Sequence, residues 1–150
     1  MKLYLVRHGK AEPGGVDEER LLTSRGRGAV ERVSTSLIEM GVQIGRMEHS
    51  GLVRARQTAE ILALAVGGSP LEVPDLAPEA DVKRIARRVT DAGEDVMLVG
   101  HVPFMSRLAS YLLSGDSEPP LLHFRTASIA CLSNDEDSWI LEWFITPNAG

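Results

Sequence analysis

The sequence predicts a single α/β domain of three layers, with helices on both faces of a mostly parallel sheet. Short apolar, strand-like runs alternate with amphipathic helical segments along the chain, and strands connected in that way pair in parallel through right-handed crossovers. At 150 residues, with 43% hydrophobic and 25% charged residues, the chain has the size and balance of one soluble domain around one substantial interior. No internal repeat, low-complexity tract or linker divides it, so the domain is expected to span residues 1–150.

The first strand is read over 2–6 (KLYLV), a mostly apolar run bounded by Gly9 and by Pro13-Gly14-Gly15. From Thr23 onward Val30, Val33, Leu37 and Met40 recur at helical spacing; Thr23 or Ser24 caps the start and Gly41 ends it. A brief strand at 45–49 precedes a second helix at 52–65, which stops at Gly67-Gly68. A short strand is expected at 71–73. Asp81 opens a third helix with Val82, Ile85, Ala86 and Val89 inward, and the run VMLV at 96–99 is the clearest central strand. Pro103 suits the first turn of a fourth helix, continued by Phe104, Leu108, Tyr111 and Leu112 toward Gly115. Strands at 127–132 and 139–145 complete the sheet.

Composition excludes several classes of function. A formal net charge of -5 argues against a nucleic-acid binder, which needs a surplus of Lys and Arg. The single cysteine, Cys131, rules out an intramolecular disulfide and a thiolate metal cluster, and is expected to be a small buried residue. The four histidines lack metal-ligand spacing, so no metal or other cofactor is expected. Gly26-x-Gly28 lacks the third glycine and preceding strand of a dinucleotide fingerprint. The apolar start of the chain is broken by Arg7, and no run approaches the ~20 residues of a membrane span. The expectation is a cytoplasmic monomer without membrane contact.

In open α/β sheets ligands gather beyond the carboxyl ends of strands, and two histidines fall there: His8 after the first strand and His101 after VMLV. Arg7-His8-Gly9 sets a fixed cation beside an imidazole, with a glycine that permits close backbone approach. Arg54, at the start of the second helix, offers a guanidinium that can grip two oxygens at once. The Val102 amide lies at the beginning of the fourth helix, directed to the same oxygens. Together these groups suit a phosphate-like dianion.

Arg7-His8-Gly9, Leu22-Thr23-x-x-Gly26, the stretch from Ser50 to Ala59, and Gly100-His101, in that order, resemble the histidine phosphatase superfamily. Lys10-Ala11-Glu12, Pro74-Asp75-Leu76, Pro119-Pro120, Phe124 and 126–130, with the compact length, further resemble its SixA-type phosphohistidine phosphatases. The resemblance implies a phosphoglycerate mutase-like fold. It also implies a metal-free double displacement with His8 as nucleophile and Arg7, Arg54 and His101 binding the phosphoryl oxygens. A neutral imidazole is a competent nucleophile at neutral pH, and a protonated His101 would add charge where the transition state spreads it.

Larger relatives use a carboxylic acid to protonate the leaving oxygen. Here Asp75, Glu79 and Asp81 are the candidates, Asp75 and Glu79 foremost. If none serves, a phosphohistidine substrate is favoured, because an imidazole leaves far more readily than an alkoxide and takes its proton from solvent. The expected activity is therefore hydrolysis of phosphohistidine on a protein domain. The alternatives are a phosphomonoesterase for small sugar phosphates and a non-catalytic binder of phosphorylated ligands. Gly51 stands where many relatives carry proline, and is expected only to loosen the turn into the second helix. His49 and His123 carry no motif, and Arg56 with the basic face Lys83, Arg84, Arg87 and Arg88 is expected to be solvated surface.

Overall fold

The computed structural model describes residues 1–147. Strand β1, Lys2–Arg7, alternates its side chains between two interiors: Leu3 and Leu5 enter one, Tyr4 and Val6 the other, as the twofold period of a strand buried on both sides requires. Helix α1 (Ser24–Glu39) follows, then β2 (Arg46–His49), α2 (Val53–Val66), β3 (Ser69–Glu72), α3 (Val82–Ala92), β4 (Val96–Gly100), α4 (Phe104–Ser114), β5 (Ile129–Asp135) and β6 (Ser138–Ile145). The sheet runs β3-β2-β4-β1-β5-β6. Its first four strands are parallel; β5 and β6 form an antiparallel hairpin against β1. This is the three-layer, mostly parallel architecture the sequence predicts.

Each layer has its own apolar packing. Val30, Val33 and Leu37 of α1 and Ala55, Ala59 and Leu62 of α2 cover one face with Met47, Met97 and Val99. Ile85 and Val89 of α3 and Phe104, Met105 and Leu108 of α4 cover the other with Leu5, Leu98 and Leu132. The caps match the sequence: the Thr23 hydroxyl accepts from the Gly26 amide and the Asp81 carboxylate from the Lys83 amide. Cys131 is fully buried and free. Among the described residues no helix is long and apolar enough to cross a membrane.

Register decides what meets at the open end of the sheet. Arg7 lies opposite Gly100, so His8 and His101 leave their strands side by side, and the His8 amide donates to the Gly100 carbonyl at 3.0 Å. His49 of β2 lies opposite Val99, which brings Ser50 to the same place.

Three details depart from expectation. Strand β3 begins at Ser69 and carries Pro70, tolerated because β3 is an edge. Strand β5 begins at Ile129, since Ala127 has φ +63° and spends its amide on the carbonyls of Arg7 and His8. Arg88 is no solvated surface charge: its guanidinium takes both carboxylate oxygens of Glu48, at 2.6 and 3.0 Å, while Arg46 holds the same carboxylate at 2.7 Å. The Glu48 side chain is wholly buried, and the two arginines keep its pKa below the usual range although burial opposes them. Removing one partner from a buried carboxylate is strongly destabilising. Arg88→Ala is thus expected to cost about 3 kcal/mol in urea unfolding, and a loss under ~0.5 kcal/mol would show the pair to be dispensable.

Candidate active site

His8 sits immediately past β1 and is nearly buried. Its Nδ1–H donates to the Gly9 carbonyl at 2.6 Å, which leaves Nε2 as the unprotonated nitrogen with its lone pair outward. The Arg54 Nε–H is directed at that nitrogen from 3.4 Å. The His101 ring lies with its centroid 5.0 Å from that of His8, tilted by 54°. The structure therefore brings His8, Arg54 and His101 together, as the sequence predicts.

Both rings are neutral in the free protein. Burial pushes the His8 pKa down to about 4; the Gly9 hydrogen bond opposes this, and Arg54, Arg7 and Arg20 add to it. Burial, then the neighbouring His8 and Arg54, lowers His101 to about 3, against the pull of Asp17. A protonated His101 is thus not the resting state. An arriving phosphoryl dianion would raise its proton affinity, because opposite charge favours the charged form.

Arg54 stands in the first turn of α2, 6% exposed. Thr58, one turn on, donates its hydroxyl to the Arg54 carbonyl at 2.7 Å and accepts from the Gly9 amide at 3.0 Å, tying α2 to the loop after β1. The guanidinium also donates from Nη1 to the Asp17 carbonyl at 2.8 Å and from Nη2 to the Asp17 carboxylate at 3.4 Å. Arg20 and Arg54 hold the Asp17 carboxyl below its ordinary pKa.

Arg7 ends β1 and donates from Nη1 to the Phe124 carbonyl at 2.9 Å. Its buried Nε and the Nδ1 of His101 find no partner among the described residues. Such orphaned polar groups are costly unless a ligand takes them up. The Ser50 hydroxyl and His101 Nε2 share a short hydrogen bond of 2.5 Å. Gly51 takes φ +95° and donates its amide to His49 Nδ1 at 3.1 Å, so this turn is fixed rather than loosened; a proline is barred from that φ. Val102 is half-buried and lines, with Arg7, Pro103, His123 and Phe124, a groove of about 350 Å³.

The candidate acids are engaged with partners other than the two rings. Asp75 is ion-paired with Arg84 at 3.4 Å and Glu79 with Arg107 at 3.7 Å, and Asp81 is committed to its helix cap. The residues that the sequence reading passed over are Asp17, Ser50, Thr58 and Ala127. Ser50 and Thr58 fall inside the motif stretch 50–59, whereas Asp17 lies in an acidic run, Asp17-Glu18-Glu19, that reads as solvated surface.

Comparison with known proteins agrees with this geometry. The model of the histidine phosphatase superfamily (branch 1) matches residues 3–84. An uncharacterised protein of Picosynechococcus sp. is 34% identical over 125 residues, which is 78% of this chain and 76% of that one. The structure of the protein histidine phosphatase SixA complexed with tungstate superposes with a TM-score of 0.87 at 28% identity, covering 98% of this chain and 97% of that one. The alpha-ribazole phosphatase from Shigella flexneri shares the fold, with a TM-score of 0.79 at 16% identity over 99% and 96% of the two chains. A family match over more than half of the chain, joined to a fold shared almost end to end with SixA, means that this chain belongs to the histidine phosphatase superfamily as a SixA-type phosphatase.

Proposed function

We propose that the chain hydrolyses phosphohistidine on a protein domain, with His8 as the nucleophile. The observation that carries the reading is the state of His8: a hydrogen bond from Nδ1 leaves Nε2 deprotonated beside the Arg54 guanidinium. The Nε2 lone pair attacks phosphorus, the P–N bond to the substrate imidazole breaks, and that imidazole takes a proton from solvent. Water then attacks phosphorus on His8, inorganic phosphate leaves and its proton passes to solvent. Arg7, Arg54 and His101 hold the phosphoryl oxygens, and the orphaned Nε–H of Arg7 gains an acceptor when they do. The Val102 amide is assigned to the same oxygens.

In this reading the arginines supply the charge, and the reaction calls for no metal. Among the described residues no group of three His, Cys, Asp or Glu is gathered that could hold a metal ion. Ion-paired Asp75 and Glu79 favour a leaving group that needs no enzymic acid. The likeness to a structure named protein histidine phosphatase SixA points the same way.

A second reading, a small-molecule phosphomonoesterase, draws on the same carboxylates. Their ion pairs are long, at 3.4 and 3.7 Å, and this reading requires one of them to open and deliver its acid. Assaying kcat/KM on a phosphohistidine domain and on sugar phosphates separates the two; a large preference for sugar phosphates overturns the first. Activity should persist in EDTA and stop with tungstate or vanadate. Because His8 must be neutral to attack and titrates near pH 4 in the free protein, kcat/KM corrected for substrate ionisation should hold level from pH 7 to about 5 and fall only near pH 4. An acid limb centred at ~6.5, the unperturbed imidazole value, would contradict the buried state of the ring.

A further inference from the structure

Beside the site lies a basin of about 510 Å³, lined among others by Lys10, Ser24, Arg25, Arg125 and Thr126. It borders the catalytic loops on both sides. Lys10 follows Gly9, whose carbonyl orients His8, and Arg125 and Thr126 lie between Phe124, which holds Arg7, and Ala127, whose amide holds the carbonyls of Arg7 and His8. Lys10, Arg25 and Arg125 are exposed, and none has a carboxylate within 4 Å among the described residues. By contrast Arg7 and Arg54 are held by carbonyls, and Arg46, Arg84, Arg88 and Arg107 by carboxylates. In a chain of net charge -5, three cations without a carboxylate partner among the described residues, around one hollow bordered by the residues that flank the catalytic loops, form a local field of opposite sign.

We infer that this basin docks acidic side chains of the protein domain that presents the phosphoryl group. The inference rests on the phosphohistidine reading above and adds what the partner's surface must carry. The lining is long, solvated cations rather than buried donors, which suits the carboxylates of a large partner at a polar rim better than a small anion in a fitted pocket. Such a patch acts mainly on encounter and orientation, and its effect fades with salt. Elsewhere the acidic chain repels an acidic partner, so the basin also selects the pose in which the phosphohistidine faces His8.

The test compares wild type with the double variant Arg25→Glu and Arg125→Glu, neither of which touches His8, His101, Arg7 or Arg54 through its side chain. The substrates are an acidic and a basic histidine-phosphotransfer domain, each phosphorylated, with phosphoimidazole as the small P–N control. At low ionic strength kcat/KM on the acidic domain should fall roughly tenfold or more, chiefly through KM. The gap should close in ~1 M salt, where screening acts within ~3 Å. Phosphoimidazole turnover should not change, and polyglutamate should inhibit wild type on the acidic domain alone. An unchanged rate on the acidic domain overturns the inference, as does an equal loss on the basic domain or on phosphoimidazole. A wild type that ignores both domains and cleaves sugar phosphates instead fails before any variant is made, and then the phosphohistidine reading falls first.

Discussion

His8→Ala should leave a folded protein whose turnover is lower by about four orders of magnitude or more, while wild type quenched during turnover carries acid-labile phosphate on residue 8. The magnitude follows from what the ring supplies. Its Nε2 is the unprotonated ring nitrogen that the geometry sets against Arg54, and the remaining charges alone bind the phosphoryl group without a covalent route to products. The fold should survive, because the His8 side chain is held by a bond to the adjacent Gly9 carbonyl and a long one from Arg54 and belongs to neither apolar cluster. Linkage supplies a separate check on the same residue. The folded pKa of about 4 lies below the unfolded value of ~6.5, so between those limits the unfolded chain binds more protons. The stabilisation is present above pH 6.5 and is lost as pH falls through 4, by about 3 kcal/mol. Wild type should therefore lose stability on acidification faster than His8→Ala. Full activity in the variant, with no phosphate on residue 8 of wild type, would end the covalent mechanism. Tight binding of phosphohistidine domains by wild type without phosphate release would instead make the protein a non-catalytic binder.

Much of the site was legible because strand ends are legible. KLYLV and VMLV announce buried parallel strands, and a histidine stands two residues past the end of each; once the two strands pair, Arg7 against Gly100, the rings leave the sheet side by side. Arg54 was readable from its place at a helix start. Groups whose role depends on long-range approach were hidden. Asp17 opens a single 3-10 turn, Asp17–Glu19, too short to show a periodicity, and only the fold brings it within reach of Arg54. Arg88 sits in a basic helix face that looks solvated until β2 turns Glu48 inward beneath it. Ala127 has ordinary strand character, and its left-handed backbone is imposed by the two carbonyls it caps. Side-chain type predicted position where one element decides it, and failed where two must meet.

Gly26→Ala should destabilise the protein by about 3 kcal/mol or more, although helix propensity alone favours the change. In the first turn of α1 an alanine is worth ~1 kcal/mol more than glycine, so a local argument predicts stabilisation. The tertiary setting reverses the sign. A Cβ on Gly26 would lie 2.1 Å from the Lys10 carbonyl oxygen and 2.9 Å from the Lys10 carbonyl carbon and amide nitrogen, all backbone atoms with no flexible end to yield. That same carbonyl accepts from the Thr23 amide at 2.9 Å and the Thr23 hydroxyl at 3.4 Å, so relief means lifting residue 10 from the helix and breaking the turn that starts it. Gly9 is one residue away and itself packs close to the Gly26 carbonyl, so the displacement reaches the carbonyl that fixes the His8 tautomer. Turnover should drop with stability, and substrate should not restore it. Gly28→Ala is the control: two residues on in the same helix, its Cβ would meet, among the described residues, only the Arg32 side chain, at an ordinary 3.6 Å. That variant should gain about 0.5–1 kcal/mol with activity unchanged. Thermal or urea unfolding of the pair decides between local propensity and contact with the catalytic loop; a Gly26→Ala protein within ~1 kcal/mol of wild type would mean that α1 does not clamp that loop.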